Sequence, residues 1–582
     1  MLLVTTPLES TWGADEDIMF LGEWCKLYSR KEIWSKRNYE VLPYHWDDRV
    51  KLKKDFFNLQ NFNKKIIKEL THILNELHNV KENEHYWGIL LGYWVNIFTA
   101  VIFDRWTMID KAVESNKITK CHISNVEENN LAANETSDFI DSVINDSWNQ
   151  AIYTIIIKLT TNIPVEIIKK DQISKSETKN KQKKSYFKQV LSKVVFNKFT
   201  CFSKNNDALI INSYLPIIEE LKLQLSLRQF PIIRNFKKVK AVEVDNSFRN
   251  WELKDRKPKD NFHEIIKYLL PKLLPKIYLE NYKNLVSTVK KTSLPKSPKF
   301  IFTASSHYDN SIFLEYAAKS NNLGSKLILA DHGGFGCNAF NGAISYQLSV
   351  ADVSLSWGWQ DKDHINVRPF GILKTIGKNQ TWDNNGLGLM VLGTMPRYSF
   401  DIRAMPIAGQ MNDYFTDQFD FYGSLPESIK KKILIRLYQG DLGWDQKKRW
   451  QDKFRNVLID SGKLSINNLL KKCRLFISTY NATTFMETLS LNVPTIMFWN
   501  INNWEIHDRA KKCFKELEEV GIFHATPQSA ALKVTEIWDN VPGWWNQEET
   551  QKARTNFCNN FAKEVKNPIK ELTKKLITTN NE

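Results

Sequence analysis

The chain has 582 residues, 42% of them hydrophobic, which is more apolar sequence than one core absorbs and enough for two or three domains at roughly 100–200 residues each. Lys+Arg number 81 against 65 Asp+Glu, and the resulting +16 points to a polyanionic partner: a phosphorylated substrate, an anionic membrane face or nucleic acid. Seven scattered cysteines without CxxC or Cys/His spacing exclude a disulfide scaffold and a zinc module, and read as reduced thiols of a cytosolic protein.

In chain order, MLLVTTPLES lacks a basic n-region and turns polar at its fifth residue, so residues 2–7 read as a first buried strand and not as a signal peptide. FLGEWC (20–25) and YHWDDR (44–49) then supply Glu23, His45, Asp47 and Asp48, the residue types of general acid–base chemistry. Glu23 stands between apolar neighbours and needs a partner or a raised pKa, whereas one or both of Asp47 and Asp48 read equally well as a helix cap. From about 50 to 160 the apolar positions recur at helical spacing. The longest nearly apolar stretch, Ile89 to Phe103, falls short of the roughly 20 residues of a membrane span, so any membrane contact is expected to be peripheral. Residues 165–205 hold eleven lysines and three acids, a solvated helix or loop.

Beyond that, short apolar runs recur, among them ALIIN (208–212), FIFTAS (300–305), KLILA (326–330), GLMVLG (388–393), LFIST (475–479) and TIMFW (495–499), most followed by a turn and a helical pattern. This is the signature of parallel strands with crossover helices, and the fold class is α/β. The polar stretch GILKTIGKNQTWDNNG (371–386) splits the runs into two groups, giving two Rossmann-like domains facing a cleft and joined near residue 375. The expected division is 1–375 with a helical insertion over about 50–205, then 376–545, then a charged helical segment, 546–582, packing back across the junction.

Three sites carry chemistry. In LFISTYNATTFMETLSLNVPTIMFW (475–499) a strand ends at Ser478 and a helix opens near Thr483 and Thr484; free N–H groups and the helix dipole there suit a phosphate, with Glu487 placed to accept from ribose hydroxyls. Thr484-x-x-Glu487 also reads as a capping box that needs no ligand. LADHGGFG (329–336) carries His332 at the mouth of a loop whose glycines permit close backbone approach. Arg397 and Arg436 sit near strand ends where a guanidinium reaches a ligand crevice, or pairs with a carboxylate. The triplets at 15–17 and 361–363, Asp-Glu-Asp and Asp-Lys-Asp, are of a kind that arises by chance in a charged chain, and no metal site is expected from them.

TTPLESTW, FLGEWC, YHWDDR, DHGGFG, TMPRY, IRLYQGDLGW and STYNATTFMETLSLNVPTIMFWN, in this order, resemble the LIC12162 family of transferases from bacterial surface-polysaccharide gene clusters. The second half also resembles the donor domain of GT-B glycosyltransferases, especially those using CMP-activated Kdo or sialic-acid-like sugars. The resemblance implies a metal-independent glycosyltransferase without a cofactor, acting on a nucleotide sugar and a glycan or lipid-linked glycan. Ser478, Thr483, Thr484, Arg397 and Arg436 would meet the donor phosphate, Glu487 the ribose, and Glu23, Asp47, Asp48 or His332 would serve as base or nucleophile. Tyr93 stands where the family pattern has proline, and the lysine-rich 165–205 looks expanded. A polyol-phosphate transferase is the alternative, and a polyanion-binding protein a more distant one, because no nucleic-acid module is visible. The lysines of 165–205 and of 271–300, where seven lysines face a single acid, would contact an anionic membrane from the cytoplasmic side.

Overall fold

A computed structural model describes all residues except 124, 169–201, 237, 254–259, 379, 461, 463 and 582. Three parallel sheets follow one another along the chain. The first comprises β1 (Leu2–Val4), β2 (Ile18–Phe20), β3 (Tyr39–Val41), β4 (Lys120–Ile123) and β5 (Val165–Ile167) in the order β3-β2-β1-β4-β5. Two long helices, Arg49–His78 and Glu84–Glu114, lie in the crossover from β3 to β4. Asp48 opens the first by accepting from the N–H groups of Val50 and Lys51, and Asn79 closes it in the left-handed conformation at φ 51°. The second is apolar on nearly every face because every face is covered: it packs against the first long helix, against Asp146–Thr160 and against the second sheet's helices. Among the described residues this 31-residue helix is long and apolar enough to cross a membrane by length and composition, yet 83% of its apolar window is buried inside the protein.

The second sheet runs in sequential order through β6 (Leu209–Ile210), β7 (Phe300–Thr303), β8 (Lys326–Ala330), β9 (Val353–Ser356) and β10 (Val367–Pro369). Its side chains alternate between two cores, as strand geometry requires. Leu209, Ile301, Leu327 and Leu329 face the core shared with the long helices, whereas Ile210, Phe300, Phe302, Ile328 and Ala330 face a smaller one. That smaller core is completed by Leu572 and Leu576 of the terminal helix Pro568–Asn581. The third sheet comprises β11 (Leu387–Val391), β12 (Ile433–Arg436), β13 (Leu458–Ile459), β14 (Cys473–Ser478), β15 (Thr495–Phe498) and β16 (Phe523–His524) in the order β13-β12-β11-β14-β15-β16. This is the doubly wound pattern in which the winding direction reverses between the first and fourth strands.

The α/β class and the two parallel-sheet lobes facing a cleft stand as read from the sequence, the lobes being the second and third sheets. The single amino-terminal domain with a helical insertion needs correction: residues 1–375 contain two sheets, and the long helices are a crossover within the first. Apart from β1, read as a buried strand over 2–7, its strands of three or four residues lie far apart among irregular and helical segments and gave no apolar run long enough to announce that sheet. Of the lysine-rich 165–205, residues 169–201 lie outside the described residues, as does Cys201; the other six cysteines are free and buried.

Candidate functional site

A ligand crevice in a doubly wound sheet forms outside the carboxyl ends of the strands flanking the reversal, here β11 and β14. Those two ends are clasped together: Thr479 Oγ1 donates to the Val391 carbonyl at 3.1 Å, and the Gly393 N–H donates to the Tyr414 hydroxyl at 2.7 Å, which pairs with Thr479 at 2.7 Å. Beside the clasp opens a cleft of about 700 Å³. Val391 and Leu392 at the end of β11, Arg436 to Asp441 at and beyond the end of β12, Tyr480 after β14, Thr484 and Glu487 on the helix that follows it, and Lys374 from the second lobe line it.

The helix Thr483–Ser490 opens at this edge, with Ala482 at its N-cap and no side-chain cap. Its first N–H groups and dipole therefore remain available to an anion. The capping-box reading fails: Thr484 sits inside the helix with its hydroxyl 2.6 Å from that of Tyr480, and Glu487 pairs across the cleft with Lys374 at 2.7 Å. Arg436 lines the cleft while bonded to Asp460 and to the Leu464 carbonyl.

The second lobe closes on this edge through its glycine loop. The Gly334 N–H donates to Thr483 Oγ1 at 3.2 Å, the His507 N–H to the Cys337 carbonyl at 2.8 Å and the Ala339 N–H to the Glu505 carbonyl at 3.0 Å. A Cβ on Gly333 would lie 2.8 Å from Thr483 Oγ1 and one on Gly334 2.3 Å from Met486 Sδ, so the paired glycines are what let the lobes meet. His332, from the same loop, lines a neighbouring cavity of about 300 Å³ with Tyr93, Ser306, Tyr308, Asp309 and Arg403. Burial, reinforced by Arg403 and Lys374, lowers its pKa to about 4, so the imidazole is neutral at pH 7. Its Nδ1 is buried without a hydrogen-bond partner among the described residues.

Several predicted residues lie elsewhere. Arg397 is 7% exposed and turned inward, donating to the Trp24 carbonyl at 2.6 Å and to both oxygens of Asp146 at 2.9 and 3.0 Å. It locks the third lobe onto the first, as the salt-bridge reading of a lone arginine anticipates. Ser478 is fully buried and donates to the Tyr480 carbonyl, supporting the loop from beneath. Thr483 holds the seam between lobes, while Asp48 caps a helix. Glu23 is paired with Lys26 at 3.0 Å and sits with Asp47 near Asp413, whose pKa burial and these two carboxylates raise. Asp47 accepts from the Tyr44 N–H and from Gln410, in a seam between the first and third sheets. The apolar environment inferred for Glu23 is a polar one, and none of these three acids lines the cavity of His332. Asp361 pairs with Arg509 at 3.0 Å, and no cluster of three His, Cys, Asp or Glu able to hold a metal occurs among the described residues.

Lys374, Tyr480 and Arg403 were missed from sequence. Lys374 lies in the polar stretch taken as a mere divider, and a divider between facing lobes necessarily passes their cleft. At the equivalent reversal point of the first sheet, Thr5 and Thr6 after β1 both donate to Gln150 Oε1, at 3.1 and 2.6 Å.

The fold and site thus define a multi-lobed α/β protein whose crevice lies between the carboxyl edges of two parallel sheets. The chain belongs to the LIC12162 family of transferases, whose model matches residues 1–576. No curated protein matches it. Among solved structures it is similar to a putative UDP-N-acetylglucosamine 2-epimerase from Listeria monocytogenes, at 9% identity and a TM-score of 0.37 over 65% of this chain and 97% of that one. It is similar also to MnaA of S. aureus, solved with UDP, at 11% identity and a TM-score of 0.34 over 65% and 98%. MurG of Acinetobacter baumannii matches at 10% and 0.28 over 64% and 98%.

Proposed function

We propose that the protein is a glycosyltransferase that binds a nucleotide-activated sugar in the cleft between the second and third lobes. The observation that carries the reading is the uncapped amino terminus of helix Thr483–Ser490 at the reversal point of the third sheet, with Lys374 and Glu487 beside it. In the reaction an acceptor hydroxyl attacks the anomeric carbon, the bond to the donor phosphate breaks, and the phosphate takes the electron pair. That growing charge falls where the helix dipole and Lys374 can meet it. Glu487 accepts from the ribose hydroxyls. Neutral His332, with an unpartnered Nδ1, takes the acceptor proton, its basicity rising once donor phosphates enter.

The sugar is of the CMP-linked 2-keto-acid kind, Kdo or a sialic-acid-like relative; Arg403 lines the His332 cavity with its Nε held by Asp401 at 2.8 Å, and its terminal N–H groups would meet the sugar's carboxylate. The acceptor is a surface glycan or its lipid-linked precursor, met at the cytoplasmic membrane face through the basic 271–300 surface. Protein groups supply the phosphate's countercharge, so no metal or other cofactor is required, and full activity in EDTA is expected; loss of activity on chelation, restored by a divalent cation, would contradict this. A panel of nucleotides in a thermal-shift assay tests the reading directly: CMP or CDP should raise the melting temperature, and a flat response to every nucleotide at millimolar concentration would sink it.

A further inference from the structure

A second cavity, of about 670 Å³, opens far from the cleft. It lies at the opposite edge of the second sheet: Leu294, Pro295 and Lys296 lead into β7 and Leu323 leads into β8, whereas His332 leaves the carboxyl end of β8. Its inner wall holds two buried groups that lack donors. His78 is 6% exposed, and its Nε2 lies 2.9 Å from the Tyr278 carbonyl. A carbonyl only accepts, so Nε2 carries the hydrogen and Nδ1 is left as an acceptor, with no partner among the described residues. Glu315 is 4% exposed, and its Oε2 likewise has none. Burial pushes the Glu315 carboxyl up to about 7. Buried polar atoms are almost always satisfied, and two orphans in one cavity mark a place for donor groups that the protein does not supply.

The mouth has the opposite character. Lys283, Lys290, Lys296 and Lys319 are exposed around it; Lys319 pairs with Glu82 at 2.8 Å, and the other three make no ion pair among the described residues. Leu323 stands at the rim, 74% exposed. A ligand that fits carries an anion at the mouth, hydroxyl donors inside and an apolar part outside.

We propose that this cavity seats the headgroup of an anionic polyol phospholipid of the phosphatidylglycerol kind. Its phosphate lies among the lysines, its hydroxyls donate to Glu315 and His78, and Leu323 enters the acyl region. This rests on the reading that the 271–300 surface meets an anionic membrane, and it concerns a face remote from the nucleotide cleft. The test is sedimentation of the full-length protein with phosphatidylcholine vesicles containing the same fraction of either phosphatidylglycerol or phosphatidylmethanol, which has the same charge and no hydroxyls. Phosphatidylglycerol vesicles should bind at least about fivefold tighter. Glu315→Leu should erase that preference and leave binding to phosphatidylmethanol unchanged; Val286→Trp, which fills the mouth from a half-buried helix position, should do the same if the first variant does not fold. Removing Lys283, Lys290 and Lys296 together should weaken binding to both lipids by about a hundredfold. Equal binding to the two lipids would overturn the headgroup site while leaving a basic membrane surface. No binding to either would overturn both. Neither result bears on nucleotide binding, which a thermal shift on the same protein reads separately.

Discussion

Glu487 illustrates how a single residue decides between a structural and a functional reading. Its sequence spacing fits a capping box, yet the helix begins at Thr483 behind an uncapped Ala482, and the carboxylate crosses the cleft to Lys374. Glu487→Ala should therefore weaken nucleotide binding about tenfold or more, read by calorimetry, while costing no more than about 1 kcal/mol of stability, because the carboxylate removed is buried but the Lys374 ammonium it leaves behind is part-exposed and stays hydrated. A loss of stability without a loss of affinity would return the residue to a structural role. His332 makes a different prediction. Its folded pKa of about 4 lies below the ordinary 6.5, so the unfolded chain binds the proton first as pH falls. Stability contributed by this site is complete above 6.5 and is lost as pH drops toward 4, by about 1–3 kcal/mol. His332→Gln should flatten that part of the stability–pH curve, measured by denaturant titration; an unchanged curve would show the imidazole to be freely protonated.

Among elements, the glycine loop after β8 and the helix after β14 form one unit. The loop approaches the helix through Gly333 and Gly334, and its far end is packed under Trp359, whose indole N–H donates to Asp331 at 2.8 Å. A Cβ on Gly336 would sit 2.3 Å from that indole ring, which is buried and held on both sides by Asp331 and Arg509. Gly336→Ala should cost about 1–3 kcal/mol and lower nucleotide affinity together, since displacing the ring moves the loop off the helix. Retained affinity would uncouple the two. At this scale the strand–turn–helix pattern around 475–499 was legible, because the apolar run Leu475–Ile477, a set of hydroxyl residues and then apolar positions at helical spacing follow one another directly. Beyond β1, the short strands of the first sheet were not legible: their pairing is set by contacts with residues far along the chain. Nor could spacing show that Ser478 and Arg397 turn inward, which depends on how the lobes stack.

The molecule as a whole is held by charged contacts that sequence cannot place. Arg105, fully buried, joins Asp104, Asn149 and the Ser399 carbonyl, while Arg397 joins Asp146, so the loop between β11 and the helix Met411–Ser424 is pinned to the first lobe. Arg397→Ala leaves Asp146 without this partner and should cost about 3 kcal/mol in chemical denaturation. A nucleotide-binding Arg397 would instead lose affinity and keep stability. The net +16 has a place in this picture too: of the seven lysines over 271–300, Lys283, Lys290 and Lys296 stand at the second cavity, away from the cleft.

The central claim is that the crevice between the second and third lobes holds a nucleotide. Calorimetric titration of CMP, CDP, UDP and ADP into the wild-type protein and into Glu487→Ala tests it most directly. Saturable one-to-one binding of a cytidine nucleotide to the wild type and a marked loss in the variant are expected. Absence of binding by all four, or binding that Glu487→Ala leaves intact, would contradict it.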